Sequence, residues 1–158
     1  MKLTNAAIVF FVLAPALVAA SRAVPIARPE VPARRALQLA PARSVWDSVY
    51  TPDQAKRGQE SYGQTCIRCH QASLGGADDS PPLTGSSFLA NWYGQTLFDL
   101  HDRIRTTMPS NDPGTFDRQL ITDVIAYVLS FNGFPAGTTE LPKDADVLKD
   151  IRIEAKKP

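Results

Sequence analysis

Large apolar side chains return at helical spacing in three stretches of the chain, and nowhere do they alternate with polar ones over the length of a strand. In the first stretch Ala55, Gly58, Tyr62 and Cys66 share one face. Thr51-Pro52-Asp53-Gln54 reads as its start, with Thr51 as N-cap, Pro52 at the first helical position and Gln54 closing a capping box. Gly58 costs roughly 1 kcal/mol against alanine in a helix interior. Close approach of another helix would explain it. The second stretch opens at Thr96-Leu97-Phe98-Asp99, a capping box with Asp in place of Glu or Gln, and runs to about Thr106. Leu97, Leu100, His101 and Ile104 fall on one side of it. Thr107-Met108-Pro109 ends it, because the residue before a proline is pushed out of the α region. The third runs from about Asp117 to Phe131, is broadly apolar and therefore well buried, and stops at Asn132-Gly133.

Between these helices, residues 71–94 read as loop, with Gly75-Gly76, Asp78-Asp79 and Pro81-Pro82 favouring turns. Val45, Trp46, Val49 and Tyr50 are expected to cover the surface of the domain that follows. Residues 138–158 are expected to form an extended tail packed on the domain through Val147, Leu148, Ile151 and Ile153. The class is all-α: three main helices joined by loops.

The first fifty residues differ in composition. Six of the thirteen prolines lie before residue 53. Residues 1–20 read as an export signal, with Lys2 as n-region, Ala6 to Ala14 as apolar core and Val18-Ala19-Ala20 as cleavage site. The competing reading is an uncleaved membrane anchor, although Pro15 interrupts an apolar run that is short against the ~20 residues a spanning helix needs. Residues 21–43, rich in Pro, Ala and Arg, read as a linker. One domain, 44–137, remains. The 158-residue chain carries 17 basic and 16 acidic side chains, a balance that argues against nucleic acid as partner.

Chemistry concentrates at Cys66-Ile67-Arg68-Cys69-His70, which holds the chain's two cysteines. C-x-x-C-H is the attachment sequence of c-type haem: two thiols three residues apart reach one porphyrin edge, and the adjoining imidazole ligates the iron. Two other readings stay open. A redox dithiol uses C-x-x-C beside a βαβ pattern, which is not visible here. A zinc site would need Cys66, Cys69, His70 and His101, whose spacing is poor. Met108 is the distal-ligand candidate, as the one methionine besides Met1, and His101 is its rival.

From Gly58 to Phe131 the sequence resembles a class I c-type cytochrome. Gly58, Tyr62, Cys66, Cys69 and His70 match the family's first helix and attachment motif; Pro81, Leu83 and Gly85 match its P-x-L-x-G loop; Met108-Pro109 matches its distal segment, and Val124 with Tyr127 the contact face of its last helix. The resemblance implies a cytochrome c-like fold wrapped around one covalent haem c. Cys66 and Cys69 would form the thioethers, and His70 and Met108 would be the iron ligands. The carbonyl of Pro81 would orient His70, with Pro81-Pro82 leaving the register open by one residue. Trp92 or Tyr93 would donate to a propionate, with ordinary core packing equally open. Arg103 and Arg105 would neutralise propionates or form a solvated face.

With both axial positions filled the implied activity is one-electron transfer, not enzyme catalysis, in an exported, periplasmic protein, membrane-bound only if the leader is retained. The flanking stretches Val45-Trp46-Asp47 through Tyr50, Thr106-Thr107-Met108-Pro109 and Asn132-Gly133-Phe134-Pro135-Ala136-Gly137 are similar to small bacterial cytochromes associated with quinoprotein dehydrogenases. They imply a dehydrogenase donor and an oxidase or another cytochrome as acceptor. The alternative is a haem enzyme or gas sensor with a displaceable distal Met, for which His101 is the candidate acid–base group.

Overall fold

The computed structural model describes residues 43–157; the expected export signal (1–20) and all but Arg43 of the expected linker (21–43) lie outside them. The described residues form six helices and one two-stranded pairing. These are β1 (Arg43–Ser44), α1 (Pro52–Thr65), α2 (Ile67–His70), α3 (Gly85–Trp92), α4 (Leu97–Thr107), α5 (Arg118–Phe131), α6 (Ala145–Lys149) and β2 (Ile151–Arg152). The class is all-α, and α1, α4 and α5 are the three main helices. Among the described residues no helix is long and apolar enough to cross a membrane.

Helices α1 and α5 form the principal packing of the domain. Gly58 makes their crossing possible: a Cβ built there would lie 1.8 Å from the carbonyl oxygen of Asp123 and 3.0 Å from Cβ of Tyr127. Around this contact the Tyr62 and Tyr127 rings meet at 5.3 Å. The Arg57 guanidinium grips the nearly buried Asp123 carboxylate through Nε at 3.1 Å and Nη2 at 3.2 Å, and donates to Glu140 at 2.9 Å. Both long helices are capped from the sequence. Thr51 accepts from the Gln54 amide, and Asp117 from those of Gln119 and Leu120.

Several expectations are corrected. The Gln54 side chain does not close a capping box; it is fully buried and brackets Leu141, donating to its carbonyl at 3.0 Å and accepting from its amide at 2.7 Å. A tertiary partner has displaced the local one. Within the expected loop 71–94, Gly85–Trp92 is helical. Two turns are marginal alone, and burial of Phe88 stabilises them here. Val45, Val49 and Tyr50 are core rather than surface cover. The tail is not simply extended: Asp144 caps α6, and β2 pairs parallel with β1, Arg43 opposite Ile151 and Ser44 opposite Arg152. Leu148, Ile151 and Ile153 are buried, whereas Val147 is exposed. The Thr96–Asp99 capping box is present in both directions.

The crossing makes a direct prediction. Gly58→Ala forces α1 and α5 apart and destabilises the domain by at least about 2 kcal/mol, more than ordinary overpacking of a core position. Denaturant unfolding of the holoprotein checks this, and a change below about 0.5 kcal/mol, as for a neutral surface substitution, would contradict the packing.

Candidate haem site

Helices α2, α3, α4 and α5 enclose one large cavity of about 1070 Å³. That is at the upper end of small-molecule pockets, which run to ~1,000 Å³. One wall carries Cys66, Cys69 and His70. The floor is apolar, built from Phe88, Leu100, Ile104, Val124, Ile125 and Val128. Met108 and Pro109 lie beside it at the end of α4.

The C-x-x-C-H segment is set by backbone. Cys66 closes α1 with its amide on the Tyr62 carbonyl, and the amides of Cys69 and His70 return to the Cys66 carbonyl. The Tyr62 hydroxyl donates to the Gln71 carbonyl at 2.7 Å, fixing the turn that follows His70. His70 is buried, and its Nδ1 lies 3.0 Å from the carbonyl oxygen of Pro81, so Pro81 rather than Pro82 is the acceptor. With Nδ1 as the donor, Nε2 keeps a lone pair for a metal. Gly76 lets the intervening loop fold back: its φ is +74°, and a Cβ there would sit 2.3 Å from the Ser80 carbonyl oxygen.

Burial pushes the Cys66 thiol above its usual range; Cys69 pushes in the same direction, and the Thr65 hydroxyl, 3.2 Å from the sulfur, opposes both. A redox dithiol needs a nucleophilic Cys of lowered pKa. Cys66 is shifted the other way. The zinc reading fails on placement: among the described residues no three His, Cys, Asp or Glu side chains are grouped to hold a metal ion.

Met108 is half-buried and serves as C-cap of α4, with extended backbone and its amide on the Ile104 carbonyl at 2.9 Å. His101 is not on the cavity wall. It is buried in the core on another side of α4, and its Nε2 has no hydrogen-bond partner. The candidate acid–base group of the enzyme reading is therefore not at the site. Trp92 lines the cavity; Tyr93 is 61% exposed and borders a separate shallow hollow with Glu154 to Lys157. Arg103 lies at the cavity rim, whereas Arg105 turns to Asp102 at 2.7 Å.

Asn132 acts beyond its expected role as a helix stop. Its side-chain amide donates to the carbonyls of Leu83 and Val128 and accepts from the amide of Gly85, tying the P-x-L-x-G loop to the end of α5. No helical or motif signal marks that bridge, because its partners are 47 and 49 residues away.

The residues present fit a haem. Sulfur and imidazole lie on one wall, an oriented ring nitrogen is available, a thioether sits in the same cavity, and the floor between is apolar. Residues 53–128, just under half of the chain, match the family model described as cytochrome c oxidase, cbb3-type, subunit III. Together, fold, cavity and family match support a class I c-type cytochrome domain over this stretch, that is, an electron-transfer cytochrome. Among solved structures the sulfane dehydrogenase SoxCD from Paracoccus pantotrophus is similar, at 22% identity and a TM-score of 0.44, over 56% of this chain and 53% of that one. The chain thus spans about half the length of that protein. No curated protein matches the chain as a relative.

His101 makes the pH prediction. Burial, with Arg118 and Arg105 nearby, holds its pKa below the ordinary value, and Asp102 opposes this. The unfolded chain, with an imidazole pKa of about 6.5, therefore binds the proton first as pH falls. Stability is full above that pH and declines below it. His101→Leu is expected to lose less stability than wild type on going from about pH 7.5 to about pH 5.5, measured by paired denaturant melts of the two proteins. Equal losses would remove His101 as the source.

Proposed function

We propose that the chain is an exported monohaem carrier of single electrons in a periplasmic respiratory chain, reduced by a quinoprotein-type dehydrogenase and oxidised by an oxidase or a further cytochrome. The observation that carries the proposal is the meeting of Cys66, Cys69, His70 and Met108 on one cavity, with His70 already oriented by Pro81.

In this reading Cys66 and Cys69 would hold haem c through thioether bonds, and His70 Nε2 and the Met108 sulfur would hold its iron. When bound, the haem supplies one-electron exchange at its iron. The chain does the rest. Pro81 fixes the imidazole, and the Met108 thioether favours the reduced metal and raises the potential. Leu100, Ile104 and Val128 exclude water from the floor. Trp92 remains the aromatic candidate near a propionate. No acid–base residue is needed, since no proton or atom is transferred.

What supports the dehydrogenase donor is the resemblance of the flanking stretches. Two of these pack on each other: the Trp46 ring meets Phe134 edge-on at 4.9 Å, and the Tyr50 hydroxyl donates to the Phe134 carbonyl at 2.6 Å. Weak, small interfaces are the rule for such redox encounters.

The test is magnetic circular dichroism of protein matured with haem, wild type beside Met108→Ala. The oxidised wild type is expected to show a thioether-to-iron charge-transfer band that the variant lacks entirely. The variant's potential should fall by roughly 100 mV or more, within the ~0.8 V that axial ligands span. A covalent haem without the band in wild type would remove Met108 as ligand and favour the open-site enzyme or sensor. Absence of covalent haem despite competent maturation would sink the assignment. Stopped-flow mixing with a reduced quinoprotein dehydrogenase separately tests the donor.

A further inference from the structure

Helix α4 is held differently from α1 and α5. Those two lock together at Gly58, whereas α4 rests on α5, α6 and β2. The turn entering α4 is gripped by the tail from both directions. The Gly94 amide donates to the Ile153 carbonyl at 2.9 Å, the Ile153 amide donates to the Gln95 carbonyl at 2.9 Å, and Arg152 Nη1 donates to the Gly94 carbonyl at 3.0 Å. The tail is held in turn by the segment before α1. The Val45 amide donates to the Arg152 carbonyl at 2.9 Å, and Trp46 Nε1 to the Glu154 carbonyl at 3.0 Å. Ile151 and Ile153 are fully buried beneath this layer. One turn earlier, Lys149 Nζ stands 5.0 Å over the ring of Phe98, a residue of α4 that lines the cavity.

We propose that residues 144–154 are a strap that positions α4 and, through it, Met108. Trp46, Arg152 and Ile153 are positioning residues for the distal side of the cavity. The part concerning iron rests on the reading of Met108 as distal ligand; the part concerning α4 stands on the packing alone.

The physical argument is one of leverage and marginal stability. Met108 caps the far end of α4, with its amide bonded to Ile104, so a tilt where the helix is strapped moves the sulfur at the other end. The remaining cap on the first turn, the Thr96–Asp99 box, is local to α4 and ties it to nothing else. A pairing of two-residue strands is among the weakest units in a domain, so the strap opens before α1 and α5 separate. Each opening frees Met108, and the apparent affinity for an outside ligand rises with the fraction freed.

The experiment uses the full holoprotein as wild type, Ile153→Ala, Ile153→Val and Trp46→Phe. Amide hydrogen exchange is followed in α1, α4 and α5, together with imidazole binding and the thioether-to-iron band. In Ile153→Ala the α4 amides are expected to exchange about tenfold faster while α1 and α5 stay unchanged. Imidazole should bind about tenfold tighter. Ile153→Val should restore both. Trp46→Phe, which keeps an aromatic six-membered ring and loses the Nε1 hydrogen bond, should shift both in the same direction by about threefold. Equal acceleration in all three helices would overturn the strap, since Ile153 would then be ordinary core. Selective loosening of α4 with unchanged imidazole affinity, in a protein whose wild type shows the band, would overturn the positioning of Met108. A wild type without the band would instead defeat the ligand reading, and selective exchange in α4 would still decide the strap.

Discussion

The crossing of α1 and α5 at Gly58 is the contact on which the domain depends. Hydrogen in place of a methyl group lets a helix backbone touch a carbonyl oxygen, and everything near the cavity is placed relative to that touch. Helix α1 delivers Cys66 as its cap and, through the short α2 that follows, Cys69 and His70. Helix α5 delivers Val124, Ile125 and Val128 as floor. The Arg57–Asp123 pair guards the same crossing, with a nearly buried carboxylate and a half-exposed guanidinium. Removing only the arginine would leave the acid desolvated and without this cation, which costs more than the pair contributes.

The site is built by two different means. Its proximal half is local: from Tyr62 to Pro81 each element is fixed by hydrogen bonds within twenty residues, and the imidazole is aimed by a backbone carbonyl. Its distal half is assembled at long range, with the turn entering α4 bonded to a tail nearly sixty residues further on. A locally fixed His70 side and a separately supported Met108 side suit the proposed haem reading, in which Met108 would tune the iron.

How much could be read from sequence follows the same division. The three long helices were legible because capping residues and apolar faces are short-range signals, and Thr51 and Thr96 cap as expected. The cysteines, His70 and Met108 were legible because their spacing and context carry chemistry. What escaped was long-range. Helix α3 depends on burying Phe88, and the side chains of Gln54 and Asn132 spend their hydrogen bonds on remote loops. His101 shares a helical side with Leu97 and Ile104, but α4 has neighbours on more than one flank. Periodicity names a buried face without saying whether the cavity or the core lies behind it.

Asn132 followed by Gly133 carries a consequence of another kind. The Asn-Gly pair is the dipeptide most open to spontaneous deamidation through a cyclic imide, and amide side chains are among the thermolabile groups of proteins. In this fold the susceptible amide is also the clasp between the Leu83–Gly85 loop and α5. Conversion to a carboxylate would remove both donor bonds and set a negative charge against the Leu83 and Val128 carbonyls. The change of one side chain would then loosen the loop that follows Pro81, far from the altered residue in sequence.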